Sequence, residues 1–372
     1  MQENLWSGVY GHEDVLSKLE KLIQNRKIPH SFLFYGPKGV GKEFVAIKFA
    51  HILNNNFNTH TLNSLYLKYV FPLPTGKNES SDDDPFKNLS SQEIELIKNE
   101  VEKKNSNPYY EISVPKANDI KISSVRDLSH FLSMSYDEYA YKAIIISDAA
   151  KMNEPAQNAL LKNLEEPPKG FVFILITSDI SKLRETILSR CWKMKFGHLQ
   201  ADNVKSILQQ YYEFNDEESD FLKFISEGSV SRAVELSKYN LNILKDLTIG
   251  FLRLIFAGKI NSANQFIKEN DLIEDKKTFV IFIRIICFWI EDFEKFRAGY
   301  PNLVLNETQT YAKFLEKYPY VTFNGVIRRL EEFIYMIENY NLGENVLILN
   351  LLVLLASVIR TDARIPVEQL LE

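Results

Sequence analysis

The sequence predicts an α/β portion built on a parallel sheet and continued by an all-α portion, and three observations carry that prediction. Short apolar runs alternate with helical patterns through residues 1–198. One run stops at a glycine-rich turn, Gly36-Pro37-Lys38-Gly39-Val40-Gly41-Lys42, that opens directly into a helical pattern. Beyond residue 200 the strand-like runs cease and amphipathic helical spacing takes over. Strands alternating with helices imply a mostly parallel sheet covered on both faces. The expected organisation is an α/β phosphate-loop domain over 1–198 with a polar insertion at about 54–118, a small helical domain over 199–239, and a helical bundle over 240–372.

Each element has its own signal. Val15 to Ile23 places Leu16, Leu19, Leu22 and Ile23 at helical spacing. Ser31 to Tyr35 is apolar on both faces, which suits a strand inside a parallel sheet. Lys42 to Leu53 resumes the helical period through Val45, Phe49 and Ile52. Residues 54–118 change character: Asn54-Asn55-Asn56 opens them, and Ser80 to Pro85 has no core-forming potential. Inside lies one capped helix, Ser90 to Lys104, with Ser90 and Glu93 as a capping box and Ile94, Ile97 and Val101 on one face. Val125 to Leu132 reads as helix, Ala143 to Ile146 as a buried strand, and Asn153 as the cap of a helix reaching about Glu165. Phe171 to Thr177 is a further strand. Ala201 to Tyr212, Glu217 to Ser226 and Ser231 to Lys238 are short helices. Long amphipathic helices fill 240–372, as at Val326, Leu330, Phe333, Ile334 and Ile337.

Composition narrows the function. A hydrophobic fraction of 45% with 25% charged residues is that of a globular chain. Forty-four basic against forty-nine acidic residues give a net charge of −5, so any grip on a phosphate backbone is local or shared with partners. Two cysteines and six histidines without paired ligand spacing argue against a disulfide scaffold and against a metal held by side chains. The N-terminus carries no secretory pattern. Phe279 to Ile290 and Val346 to Ile359, interrupted by Arg284 and Asn350, fall short of the ~20 apolar residues of a membrane helix. A cytoplasmic protein without membrane contact is the expectation.

Three short motifs carry chemistry. In a phosphate loop the glycines let backbone N–H groups turn onto the phosphates, and the lysine supplies a point charge. Gly36, Gly39, Gly41 and Lys42 are accordingly the nucleotide-binding candidates, with Lys38 beside them. The next residue in a working loop is Ser or Thr, whose hydroxyl ligates Mg²⁺. Here it is Glu43, a carboxylate facing a triphosphate. The second motif is the strand end after Ile146, where an ATPase carries one acid for Mg²⁺ and a second for the attacking water. Ser147 and Asp148 stand there, and Asp148 reads equally well as a capping residue. With both Mg²⁺-related positions altered, the pattern is that of a nucleotide-binding shape without hydrolysis. The third motif is Ser189-Arg190-Cys191. An isolated turn arginine is ordinarily a solvated residue, but one on a domain edge can reach a neighbour's γ-phosphate.

The run Asn158 to Pro168, Leu183 to Cys191 ending in Ser-Arg-Cys, and Pro29 to Pro37 leading into the loop resemble the bacterial DNA polymerase III clamp-loader family, which is of AAA+ type. The likeness spans roughly residues 5–53 and 119–235, and its degenerate Ser147-Asp148-Ala149-Ala150 strand end is similar to the delta-prime branch, where gamma/tau carry Asp-Glu-Ala. It implies an AAA+ phosphate-loop domain, a helical lid and a C-terminal collar. It further implies a non-catalytic subunit of a hetero-pentamer with gamma/tau and delta subunits, which helps load the sliding clamp onto primed DNA. By that likeness the chain is part of the DNA-directed DNA polymerase holoenzyme, has no ATPase activity of its own, and lends Arg190 in trans to a neighbour's ATP site. No cofactor is required; the vestigial loop leaves room for weak ATP or ADP binding.

Two departures matter. The four-cysteine zinc module that this family commonly inserts after the loop helix is missing, so no zinc is expected. In Gly228-Ser229-Val230-Ser231-Arg232-Ala233, Ser231 occupies the sensor-arginine position and Arg232 is displaced by one residue, about 100° around a helix. Thr177 and Ser178 stand where a first-sensor hydroxyl would be. The alternative reading is a catalytically active gamma/tau-type ATPase, against which Glu43 and Ser147 argue jointly. A third is an AAA+-derived binding module outside replication.

Overall fold

The computed structural model describes residues 5–76, 80, 83–133 and 141–360; Ser81 and Asp82 of the expected polar run lie outside the described residues. The chain forms two compact units, Met1–Glu235 and Leu236–Glu372. The three short helices expected as a separate lid domain lie almost wholly within the first unit.

The first unit runs α1 (Glu13–Gln24), β1 (Ser31–Tyr35), α2 (Lys42–Ile52), β2 (Leu67–Val70), α3 (Ser91–Ser106), α4 (Ile122–Arg126), α5 (Leu128–Ser133) and β3 (Lys142–Ile146). It continues through α6 (Glu154–Glu165), β4 (Phe171–Thr177), α7 (Glu185–Leu188), β5 (Trp192–Lys195), α8 (Ala201–Tyr212), α9 (Asp216–Ile225) and α10 (Val230–Leu236). The five strands form one parallel sheet in the order β2-β3-β4-β1-β5. Its central strands are buried on both faces, as their continuous apolar runs require. On one face Leu33, Ile144, Ile146, Phe173 and Leu175 pack with Val125, Leu128, Ala156, Leu160 and Leu164. Helix α2 packs on strands β1, β3 and β4 and has ten of its eleven residues buried. Both cap expectations hold: Ser90 and Glu93 form a capping box, and the Asn153 side chain accepts from the Ala156 N–H.

Several elements differ from the sequence reading. Residues 54–118 are more than a polar insertion, because Leu67–Val70 within them is an edge strand paired with β3. Its polar Lys68 and aromatic Tyr69 break the apolar run, and only Leu67 and Val70 are buried. The same segment has a small core of its own, Phe71, Leu73, Leu89 and Ile97, packed with Ile94, Val101, Ile112 and Val114. The opposite edge strand, Trp192–Lys195, was equally silent, since only Met194 is buried. The single helix expected over Val125 to Leu132 is two, parted at Asp127, whose carboxylate lies 2.6 Å from Lys68 Nζ.

Among the described residues the second unit is all-helical: α11 (Leu241–Phe256), α12 (Ile260–Glu269), α13 (Lys276–Arg297), α14 (Thr308–Lys317), α15 (Val326–Asn339) and α16 (Glu344–Arg360). Helix α13 is its axis, with twelve buried residues from Phe279 to Phe293. Trp289 stacks on Phe293 at 5.8 Å and meets Phe314 edge-on at 5.1 Å. No described helix is long and apolar enough to cross a membrane.

Candidate nucleotide site

The carboxyl ends of β1, β4 and β3 lie side by side, where open parallel sheets bind ligands. In register, Tyr35 is opposite Thr177, and Ile146 is opposite Leu175. Gly36, Thr177 and Ser147 therefore gather at one rim, and the Gly36 N–H donates to the Thr177 carbonyl at 3.3 Å.

The loop from Gly36 to Gly41 turns back on itself. Gly39 and Gly41 have φ of 73° and 90°, the left-handed region that glycine adopts without penalty. A Cβ on Gly41 would lie 2.9 Å from Cε1 of Tyr109, and one on Gly39 would collide with the Ser231 hydroxyl. The start of α10 closes over the loop: Val230 N–H donates to the Gly39 carbonyl at 2.8 Å, and Ser229 Oγ to the Lys38 carbonyl at 2.9 Å. Arg232 points away, paired with Glu227 at 2.8 Å.

Lys42 opens α2 and is 6% exposed. Its ammonium donates to the carbonyls of Gly36, at 2.8 Å, and Pro37. Burial brings its pKa down to about 8. Glu43 follows, and its carboxylate is fully engaged. Lys104 Nζ lies 2.5 Å from Oε2, the Ser147 hydroxyl donates to Oε1, and the Tyr69 hydroxyl adds a further bond. Burial alone would raise the Glu43 pKa, but the Lys104 ammonium and these hydrogen bonds outweigh it and hold it below the ordinary value.

A cavity of about 320 Å³ opens here, lined by Lys38, Gly39, Gly41, Lys42, Glu43, Ser147 and Asp148 together with Thr177 and Ser178. The sequence-derived candidates thus converge, Gly36 contributing the carbonyl that receives Lys42. Asp148 sits at φ 52°, paired with Lys151 at 3.3 Å. The Thr177 hydroxyl is spent on a local turn with Asp179. The residues at the metal-ligand positions do not fit a Mg²⁺ ion, because the carboxylate at the hydroxyl position holds an ammonium and the Ser147 hydroxyl donates to that same carboxylate.

Sequence reasoning missed Tyr69, Lys104, Tyr109 and Glu111. All four come from the segment read as an insertion, and no local spacing links them to the loop. Glu43 was the one available hint, since an acid directly after the loop lysine calls for a cation from elsewhere.

Arg190 lies apart from this cavity's lining. Cys191 is buried in the sheet's core, burial pushing its thiol up to about 11, and Ser31 Oγ donates to the Arg190 carbonyl at 2.6 Å. The backbone is thereby pinned while the guanidinium, about one-third exposed, pairs with Glu165 at 2.8 Å and donates to the Thr186 carbonyl at 2.7 Å. Ser189 donates to that same carbonyl at 3.2 Å.

Comparison with known proteins agrees in kind. A family model described as DNA polymerase III, delta subunit, matches residues 11–200. DNA polymerase III subunit tau of Bacillus subtilis is 23% identical over 330 residues, 83% of this chain and 53% of that protein. The Escherichia coli subunit tau is 28% identical over 240 residues, 62% of this chain and 32% of that protein. DNA polymerase III subunit delta' of Bacillus subtilis is 27% identical over 226 residues, 60% of this chain and 58% of that protein. The chain spans about half the length of the first of these relatives.

Proposed function

The chain belongs to the family described as DNA polymerase III, delta subunit, and from that premise we propose that it is a non-catalytic clamp-loader subunit of the delta-prime kind. It assembles with gamma/tau and delta subunits, in a hetero-pentamer, to place the sliding clamp on primed DNA. Relatives named tau, gamma and delta' are all similar to it, so the choice among them rests on the site. One observation carries that choice: Glu43, where a hydroxyl ligand of Mg²⁺ would stand, is tied to Lys104 and Ser147. Such a site has no place to assemble the metal and water that phosphoryl transfer requires.

The chain's contribution to turnover is then Arg190, presented at the unit's surface on a pinned backbone for a neighbouring subunit's phosphates. ATP hydrolysis by the purified chain with Mg²⁺ is the direct test, and none is expected. Robust turnover that Lys42→Ala abolishes would make this chain an active gamma/tau-type motor. In a complex reconstituted with its partners, Arg190→Ala leaves assembly intact and lowers ATP turnover; unchanged turnover removes the trans role.

A further inference from the structure

The cavity at the phosphate loop is bordered by a strap, Lys104 to Glu111, that belongs neither to the sheet nor to the loop. We propose that this strap is a built-in substitute for a metal–nucleotide ligand, with Lys104 in the cation's role, Glu111 in the phosphate's, and Tyr109 closing over the loop. The inference rests on the reading of the chain as a subunit that does not turn over nucleotide, and it explains what holds such a site in shape.

The cation comes first. Lys104 is 2% exposed, and its ammonium lies 2.5 Å from Glu43, directly after Lys42 at the start of α2. The anion is Glu111, whose Oε2 lies 3.0 Å from the ammonium of Lys38, a largely exposed side chain of the loop. Tyr109 supplies the cover. Its ring packs against Gly41 and meets Phe44 edge-on at 5.3 Å, and its hydroxyl accepts from the Tyr10 N–H at 3.2 Å.

The charges around the cavity are consistent with that division of roles. Glu111, Glu43 and Asp148 each take a different lysine, namely Lys38, Lys104 and Lys151. The remaining cation, Lys42, is turned onto its own loop carbonyls. Among the described residues lining the cavity, an incoming triphosphate meets no unmatched lysine except by breaking one of these bonds, and it meets three carboxylates on the way.

The strap is also held from behind. Glu100, 6% exposed, accepts from the Tyr110 hydroxyl at 2.9 Å and from the Ser113 N–H at 2.9 Å. Lys104 itself donates to the Tyr110 carbonyl at 2.6 Å, and Asn107 donates to the Tyr211 carbonyl at 2.9 Å. A tethered occupant of this kind competes with free ligand at an effective concentration of about 1 mM or more.

The test is titration of a fluorescent ATP analogue, with and without Mg²⁺, against the full chain and two variants. Glu111→Gln frees Lys38 and removes a repelling carboxylate, and because Lys38 is largely exposed and water screens its pair with Glu111, binding tightens by about threefold. The paired change Glu43→Thr with Lys104→Met puts a hydroxyl at the metal-ligand position and withdraws the ammonium, and binding then becomes Mg²⁺-dependent. A folded Glu111→Gln chain that binds no more tightly than wild type overturns the proposal, whether or not the paired variant folds. Tight, Mg²⁺-dependent binding by the wild-type chain without hydrolysis also overturns it and leaves the non-catalytic reading standing. Hydrolysis by the wild-type chain overturns that reading itself.

Discussion

Two carboxylates, one in each unit, are taken out of water in opposite ways. Asp292, fully buried on α13, is surrounded by neutral donors: the N–H groups of Val304 and Leu305 at 2.8 and 2.6 Å, and the Tyr311 hydroxyl at 3.2 Å. Glu43, partly covered, is matched by a full positive charge from Lys104. The first arrangement fixes a loop between two helices and leaves nothing over for a ligand. The second lies in a cavity beside a phosphate loop and cancels charge that a ligand would otherwise bring. A buried acid ringed by backbone donors is thus a joint of the fold, whereas Glu43 meets a single lysine at the edge of a cavity.

Removing the joint has the largest expected effect. Asp292→Ala leaves two backbone N–H groups and a phenol without their acceptor, and stability falls by about 3 kcal/mol in urea unfolding. Asp292→Asn keeps one acceptor oxygen and costs less than the alanine. A loss below about 1 kcal/mol for the alanine would mean that water replaces the carboxylate there and that the contrast with Glu43 is misplaced.

The charge-matched site comes next. Lys104→Met strands the Glu43 carboxylate, and a loss of about 2 kcal/mol at neutral pH is expected, less than for a wholly buried pair because Glu43 is partly exposed. The pH dependence sharpens this. Glu43 has a folded-state pKa below its ordinary value, so its stabilisation is present above about 4.5 and fades as pH falls through the lower folded value. The stability difference between wild type and Lys104→Met should therefore shrink as pH falls below about 4.5, and parallel curves throughout the acid range would show that Lys104 acts through packing alone.

The same contrast explains how much could be read in advance. Strands β1, β3 and β4 were legible because burial on both faces leaves an uninterrupted apolar run, and the caps at Ser90 and Asn153 because their partners lie three residues away. Strands β2 and β5 were not, since these edge strands bury only Leu67 and Val70 in one and Met194 in the other, and let Lys68, Lys193 and Lys195 through. Within the site, Lys42, Ser147 and Asp148 follow from the spacing of motifs. Lys104 and Glu111 lie in a stretch whose composition reads as solvated, and only the folded chain brings them to Glu43 and Lys38. Glu43 marked the loop as unusual without naming Lys104 as the cation that pairs with it.

The smallest expected effect on stability is at Arg190, and its smallness is informative. Its ion pair with Glu165, at 2.8 Å, is nearly as short as that of Lys104 with Glu43, yet both partners are substantially exposed. Water screens such a pair, and the ordering of two long side chains offsets most of what remains. Arg190→Ala should therefore change unfolding free energy by no more than about 0.5 kcal/mol. The backbone at this position is held independently by Cys191 in the core and by the Ser31 hydroxyl, so the variant keeps the local turn. A loss above about 1 kcal/mol would place Arg190 among the joints of the fold, with Asp292. A silent substitution in the isolated chain that lowers turnover in the assembled complex would instead locate its work in another subunit, because nothing inside this one depends on the guanidinium.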